Sequence, residues 1–203
     1  FRAIRGYDRD QQRILYNDSF YGPGLWRSYD NFLRAWAPYN NKFVLPYRAE
    51  QEPLVRALLG DQWEESGDYA QLLETTTAQV ERNPSDAYAL WGQGEALVRM
   101  GRPEDAIVSF ESAIGTGALP WRYLWYRYGY FEALNSVGRY DDLLTVSRTT
   151  LDQMKRSEDL RYHRAVAFVA LGRTEEAITS LELALQDNPR FIPAQALLAE
   201  LGG

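Results

Sequence analysis

The chain has 203 residues, of which 45% are hydrophobic and 25% charged, with a net charge of −6. This composition is typical of a folded globular protein, and no stretch approaches the roughly 20 apolar residues of a membrane-spanning helix. The chain contains no cysteine, which excludes disulfides, thiolate zinc sites and a cysteine nucleophile within these residues.

The charge is distributed unevenly along the chain. Residues 1–50 contain eight Lys or Arg and five Asp or Glu, whereas residues 51–203 contain 14 and 23. An acidic segment of this size argues against nucleic acid as a main partner, because phosphate binding requires clustered Lys and Arg. A protein or peptide partner that carries basic groups is the better match to this charge. The alternative is that the acidic side chains only cover solvent-exposed helix faces.

The first 50 residues predict a small mixed α and β segment. In chain order we expect a strand at 1–5, a polar turn at 6–12, a strand at 14–17, a loop at 21–24, a helix at 28–36 and a strand at 42–47. Ser28 is the expected N-cap of the helix. The segment also holds twelve aromatic residues, more than two or three strands and one helix usually bury.

Several short motifs in this segment occur together in one known family. They are Gly6-Tyr7-Asp8, the strand that ends at Asp18, Tyr21-Gly22, and the aromatic helix from Ser28 to Trp36. Over about 47 residues the pattern resembles the C-terminal part of a C39-like, papain-fold cysteine peptidase. The resemblance implies that Asp18 orients a catalytic His, which would fall directly before Phe1, with the nucleophilic Cys further upstream.

A peptidase of this kind needs three groups in one site. A thiolate attacks, a His acts as base, and a third group holds the imidazole in its useful tautomer. Only the third is present here, so these residues alone predict no peptidase activity. The other interpretation of Asp18 is a strand-end residue that caps a turn through its side chain.

Four glycines recur at nearly equal intervals in the rest of the chain. Gly67, Gly101, Gly138 and Gly172 lie 34, 37 and 34 positions apart, and a period near 34 predicts an array of helical repeats. Small residues occupy matching offsets around two of them, namely Gly94, Ala106 and Ala113 around Gly101, and Ala165, Ala177 and Ala184 around Gly172. This pattern resembles the tetratricopeptide repeat, in which a left-handed Gly ends the first of two closely packed antiparallel helices.

The array is predicted to cover residues 51–203. We expect repeat units at about 53–86, 87–120, 124–157 and 158–191, followed by a capping helix at 192–203. The first unit has Gly60 at a small position, whereas the third has Phe131 and Leu143 there, after three extra residues near 120–123. The predicted fold class is mainly α, a solenoid of antiparallel helix pairs with a small N-terminal α+β segment.

The resemblance also implies a peptide-binding groove, lined from fixed positions of each first helix. On this chain those positions hold Tyr88, Trp91, Glu95, Arg99, Trp125, Glu132, Asn135 and Tyr162. The Lys and Asn that clamp a terminal carboxylate in chaperone-binding members are replaced by Trp91 and Glu95. We therefore expect an extended peptide over Trp91 and Trp125, with a basic side chain toward Glu95 or Glu132.

The sequence predicts a scaffold that binds protein or peptide, attached to an incomplete, inactive peptidase-like module. The alternative is the C-terminal portion of an active cysteine peptidase that uses the array as a substrate handle. Either way, residues 1–50 are expected to contact the missing half of the module. No cofactor is expected, and the single His163 is predicted to be structural rather than a metal ligand.

Overall fold

A computed structural model describes residues 2–39, 43–63 and 65–202. The chain divides into two compact units, residues 1–60 and 61–203. The expected fold class is confirmed: a small antiparallel sheet is followed by a series of helices. The division lies ten residues after the predicted boundary at 50, so the first predicted repeat helix falls in the first unit.

The first unit contains a three-stranded antiparallel sheet in the order β1-β2-β3. Its elements are β1 (Arg2–Asp8), β2 (Arg13–Asp18), β3 (Gly22–Ser28), α1 (Tyr29–Trp36) and α2 (Glu52–Leu59). Tyr16 of β2 and Phe32 of α1 are both buried, with ring centroids 5.8 Å apart. This aromatic contact packs the helix against the sheet.

The first two predicted strands and the helix are present in this unit, although β1 includes residues 6–8, which were expected in the turn, and Phe1 lies outside the described residues. Two further elements differ from the prediction. Ser28 accepts a hydrogen bond from the Asn31 amide, as its N-cap role requires. Residues 22–24 belong to β3 rather than to a loop, since a strand at the edge of a sheet tolerates Pro23, which has no amide hydrogen. Residues 43–48 form no regular structure, although a strand was predicted at 42–47; Lys42 lies outside the described residues.

Eight helices are described in the second unit. They are α3 (Glu65–Arg82), α4 (Ala87–Arg99), α5 (Pro103–Gly115), α6 (Gly129–Ser136), α7 (Tyr140–Gln153), α8 (Glu158–Ala170), α9 (Thr174–Asp187) and α10 (Ile192–Gly202). A 3-10 helix at 123–125 precedes α6. Helix α6 has only 8 residues, compared with 13 in α4 and in α8, so the irregular third unit has a shortened first helix.

Three of the four recurring glycines end a helix as predicted. Gly101, Gly138 and Gly172 have φ values of 71°, 78° and 71°, a region that residues with a Cβ rarely adopt. After each Gly, the next amide bonds back to a carbonyl five residues earlier, as from Arg102 to Leu97 at 2.9 Å. This bond is the mark of a Schellman cap.

The first predicted unit is organised differently. Gly67 falls inside α3, so the prediction that it forms a turn between two helices is wrong. Gly60, expected at a helix-packing position, instead ends α2 with a φ of 54°. The break between these helices therefore lies earlier than predicted, because either glycine can end a helix and the spacing alone does not select between them.

Small residues allow close helix packing where the sequence predicted it. A Cβ placed on Gly94 of α4 would lie 2.6 Å from the Cε1 atom of Phe110 of α5, and Phe110 is fully buried. In the third unit, Phe131 and Leu143 occupy the small positions and are also fully buried. Both belong to the larger of two hydrophobic clusters, which extends from α4 to α8.

Candidate functional site

The predicted groove residues lie on α4, α6 and α8 and on the 3-10 segment before α6. They separate into three groups: a buried pair, a row of partly exposed polar side chains, and a set of aromatic rings. The groups differ in burial and therefore in what they offer to a partner.

Trp91 and Glu95 are the buried pair. The Trp91 ring is fully buried and contacts Phe110 and Tyr123, with centroids 4.6 and 5.1 Å away. Its indole N–H donates to Glu95 Oε1 at 3.0 Å, and a Cβ on Gly129 would lie 3.1 Å from Glu95 Oε2. Both side chains therefore belong to the core, and neither is available for direct contact with a peptide.

Arg99 and Glu132 join α4 to α6. Arg99 Nη1 lies 2.8 Å from Glu132 Oε2 and Nη2 lies 3.0 Å from Oε1, a two-point ion pair. Burial alone would lower the pKa of Arg99, but the charge and the hydrogen bonds of Glu132 outweigh it and raise the pKa. Both side chains remain partly exposed, at 41% for Arg99 and 28% for Glu132, and so the pair is both fixed and accessible.

Asn135 and His163 continue this row from α6 to α8. Asn135 Nδ2 donates to the His163 carbonyl at 3.1 Å and lies 3.4 Å from His163 Nδ1. Asn135 Oδ1 is buried and has no partner among the described residues. Burial lowers the pKa of His163, opposed by Glu132 and assisted by Arg99, which favours a neutral imidazole near pH 7.

The segment before α6 is anchored on the N-terminus of α8. The Tyr128 hydroxyl donates to the Trp125 carbonyl at 2.8 Å and lies 3.1 Å from Ser157 Oγ. The single hydroxyl proton of Tyr128 is used in the bond to Trp125. The Ser157 hydroxyl must therefore donate to the Tyr128 oxygen. Ser157 Oγ also accepts from the Leu160 amide and thereby caps α8. Burial raises the pKa of Tyr128, so the donor stays protonated.

Aromatic rings are the third group. Trp125 was expected on a first α-helix, but it lies in the 3-10 segment, half-buried, with its indole nitrogen enclosed and unpaired among the described residues. Its ring contacts Trp121 at 4.9 Å and Tyr126 at 6.3 Å. These two neighbours are 65% and 71% exposed. The remaining predicted residues are partly buried, with Tyr88 against Tyr123 and Tyr162 against Phe191.

The predicted groove positions leave out two residues of this region. Tyr123 packs on Trp91, and Tyr128 connects the 3-10 segment to α8. Both belong to the aromatic-rich run from 121 to 131, which the sequence indicates as a contact surface without assigning it to the groove. His163, predicted to be structural, packs parallel to the Phe131 ring at 6.4 Å.

Asp18 in the first unit has its own set of contacts. Its Oδ2 accepts from Arg2 Nε at 2.8 Å, and Oδ1 accepts from the amides of Phe20 and Tyr21 at 2.9 and 3.1 Å. The hydrogen bond from Arg2, followed by those two amides, lowers the pKa of Asp18 to about 2. The carboxylate therefore stays ionised and caps the turn after β2.

Comparison with known families and structures identifies the helical portion. Residues 64–120 match one tetratricopeptide repeat profile, and residues 159–190 match a second. The chain contains tetratricopeptide repeats. These repeats support a scaffold that binds other proteins, whereas no comparison supports the peptidase resemblance of the first 47 residues.

Several solved structures match the chain, and one of them shows the same fold over most of its length. A protein described as "MamA RS-1 ArsTM double mutant" superposes with a TM-score of 0.60 over 77% of this chain and 85% of that one. The two are 16% identical, so the likeness shows the fold alone. No curated protein sequence matches the chain.

The described ranges contain neither a membrane-spanning helix nor a cluster of metal ligands. No helix there has both the length and the apolar character needed to cross a membrane. In the same residues, no three His, Cys, Asp or Glu side chains come together in a way that suits a metal ion.

Proposed function

We propose that the repeat array binds an extended peptide segment of a partner protein along the face formed by α4, α6 and α8. The observation that carries this proposal is the row of Arg99, Glu132, Asn135 and His163, which is held in place by contacts between successive helices. Polar groups fixed before binding lose little conformational entropy when a ligand arrives. The accessible members of the row thus form a ready-made polar strip.

The exposed rings of Trp121 and Tyr126, with Trp125 between them, provide apolar anchors for the same proposal. Aromatic side chains with a polar tip dominate recognition hot spots, because they bury a large area with few rotatable bonds. Trp91 supports the groove from below instead of touching the peptide. This assignment replaces the expected stacking on Trp91 with stacking at 121–126.

Charge favours a partner with basic groups. Residues 61–203 contain 13 Lys or Arg and 22 Asp or Glu, a net charge of 13 − 22 = −9. Within the row, Glu132 is the accessible carboxylate, and a Lys or Arg of the peptide is proposed to share it with Arg99. Glu95 contributes only to the negative electrostatic potential of the unit, since its side chain is buried.

The test is selection of peptides from a random displayed library, followed by calorimetry with the strongest binder. Trp125→Ala and Glu132→Gln are each expected to reduce affinity by about tenfold or more, the range of a hot-spot residue. Glu104→Gln, which removes an exposed acid on α5, is the matched control and should leave affinity unchanged. Selection of acidic peptides, or equal affinity in all variants, would contradict the proposal.

We propose a second candidate for residues 2–39, the back part of a peptidase-like module. The supporting observation is the strand register, in which Arg2 pairs with Asp18. Asp18 therefore lies opposite the first described residue of the strand that, in the resemblance, follows the catalytic His. To orient its imidazole, Asp18 would exchange its bond with Arg2 for one with the His.

The complete reading frame decides this second candidate. Its product is expected to contain a His directly before Phe1 and a Cys further upstream. Asp18→Asn is then expected to abolish peptide hydrolysis while the fold remains intact by circular dichroism. Contact with the rest of the module is part of the proposal, since Tyr7 and Phe20 are exposed in this unit. Absence of that Cys or His rejects it and leaves Asp18 with its turn-capping role.

A further inference from the structure

An arginine-lined cleft lies among α7, α8 and α9, and the proposed groove function does not use it. Two cavities of about 400 and 240 Å³ share three lining residues, Arg164, Phe168 and Arg173. Arg161 lines the larger cavity and Arg148 the smaller. Four arginines thus converge on one cleft, within a unit whose net charge is −9.

Arg164 is the central feature of this cleft. Its Nη1 donates to the Leu144 carbonyl at 3.2 Å and to Ser147 Oγ at 2.9 Å. Among the described residues no carboxylate lies within 4.0 Å of Arg164, and its other nitrogens make no hydrogen bond to them. A half-buried guanidinium without a counter-ion is unfavourable. Burial lowers the pKa of Arg164, assisted by the neighbouring arginines.

The other charges around the cleft do not neutralise Arg164. Arg161 is paired with Asp187 at 2.7 Å and Arg173 with Glu176. Asp141 also lines the smaller cavity, so four arginines face three carboxylates, for a local charge of 4 − 3 = +1. Arg148 is exposed and has no carboxylate within 4.0 Å in the described part of the chain. Arg148 and Arg164 are therefore the cations most available to a ligand.

The cleft combines these cations with an apolar surface. The guanidinium carbons of Arg164 and Arg173 lie 5.3 and 4.6 Å from the centre of the Phe168 ring. Leu151 and Leu183 complete the apolar part of the larger cavity. An inorganic anion would use the cations alone, whereas a peptide with acidic and apolar side chains would use both surfaces.

We propose that this cleft binds a partner protein through a segment in which an acidic side chain stands beside an apolar one. The carboxylate pairs with Arg148 and Arg164, and the apolar side chain packs on Leu151 and Leu183, which are only partly buried. Phe168, at 6% exposure, is part of the core beneath the cleft. Charge complementarity identifies the occupant, because this is a positively charged site on a negatively charged unit. The array would then bind a basic segment in its groove and an acidic segment in this cleft.

The experiment uses two short fluorescein-labelled peptides and the whole chain. One alternates Glu and Leu, and the other has Gln in place of each Glu. Anisotropy measures affinity, and the side-chain Nε–H signals of arginine in an NMR titration report the site. The Glu peptide is expected to bind saturably and to shift the signals of Arg148 and Arg164, whereas the Gln peptide is expected to bind at least about tenfold more weakly, as for loss of a charge-assisted hydrogen bond.

Matched variants test the location of binding. Arg148→Glu is expected to weaken the Glu peptide by about tenfold or more, whereas Arg190→Glu makes the same charge change in the turn before α10 and should have no effect. Arg164→Gln keeps a donor for Ser147 and should also weaken binding. Glu132→Gln in the groove should leave this affinity unchanged, so the cleft and the groove can fail independently.

Four outcomes would overturn the proposal. One is an equal effect of Arg148→Glu and Arg190→Glu, which indicates non-specific attraction. Another is equal binding of the Gln peptide. A third is that inorganic phosphate displaces the labelled Glu peptide at concentrations as low as those of unlabelled Glu peptide. The cleft would then be a simple anion site. The last is self-association in sedimentation that Arg148→Glu abolishes, which makes the occupant a second copy of this chain.

Discussion

Replacing Gly94 with Ala tests whether α4 and α5 depend on a missing side chain for their close packing. The added Cβ would lie 2.6, 2.7 and 2.9 Å from three ring atoms of Phe110. That ring is held by Trp91 at 4.6 Å and Tyr130 at 5.7 Å, so it cannot move aside freely. Overpacking a core typically costs about 1–3 kcal/mol, and we expect the upper end here. The better helix propensity of Ala returns about 1 kcal/mol.

The expected net loss for Gly94→Ala is therefore about 2 kcal/mol, or about 4–8 °C in melting temperature for a chain of this size. Urea and thermal unfolding followed by circular dichroism measure it. Gly115→Ala is the control, because a Cβ there meets no atom within 4 Å and should be neutral or stabilising by up to about 1 kcal/mol. Adding Phe110→Leu to Gly94→Ala should recover part of the loss through a favourable coupling. Equal stability of the two alanine variants would refute the packing argument.

Three other predictions follow from single residues. Gly101→Ala meets no steric neighbour but retains a φ of 71°, so unfolding experiments should show a loss of about 1 kcal/mol. His163 has a pKa below its usual value, so as the pH falls the unfolded chain binds a proton at this residue before the folded chain does. The free energy of unfolding should therefore fall as pH drops below about 6.5. In urea titrations, His163→Phe should remove this part of the pH dependence. Asp18 has a pKa of about 2, so its stabilising contacts should be complete above about pH 4 and lost as pH falls toward 2. Carboxyl NMR should show this titration, and Asp18→Ala, which removes the acceptor, should release the Phe20 and Tyr21 amides to faster exchange.

The parts of the fold that follow from local chemistry were predictable from sequence. Gly101, Gly138 and Gly172 each adopt a left-handed conformation that the chain needs between antiparallel helices, and only Gly takes it without strain. Gly60 and Gly67 were assigned wrongly, because a lone Gly can end a helix or continue one at similar cost. Tertiary packing decides which of the two glycines ends a helix, and the spacing of glycines in the sequence does not contain that information.

The sequence predicts which elements carry most of the candidate residues, but it does not predict how exposed each side chain is. Transfer of family positions placed Trp91 and Glu95 in the groove, but it assumed a regular first helix in every unit. Here α6 starts only at Gly129, and Tyr123 of the preceding 3-10 segment packs on Trp91. Tyr123 therefore covers Trp91, and the exposed aromatic rings lie at 121–126 instead. A pattern of positions cannot reveal this change, since it depends on which neighbour covers each ring.

Replacing Arg148 tests binding in the cleft without changing the contacts that hold the repeats together, whereas replacing one of the arginines that follow the turn glycines changes both. Arg102, Arg139 and Arg173 each follow a turn Gly and pair with an acid three residues on, so their first role is to stabilise the start of a second helix. Arg173 also lines the cleft, and its replacement would disturb both roles. Arg148 has no such structural pair among the described residues. A loss of acidic-peptide binding on Arg148→Glu at unchanged stability therefore reports on the cleft itself, whereas the same loss on Arg173→Glu would also follow from a weakened α9.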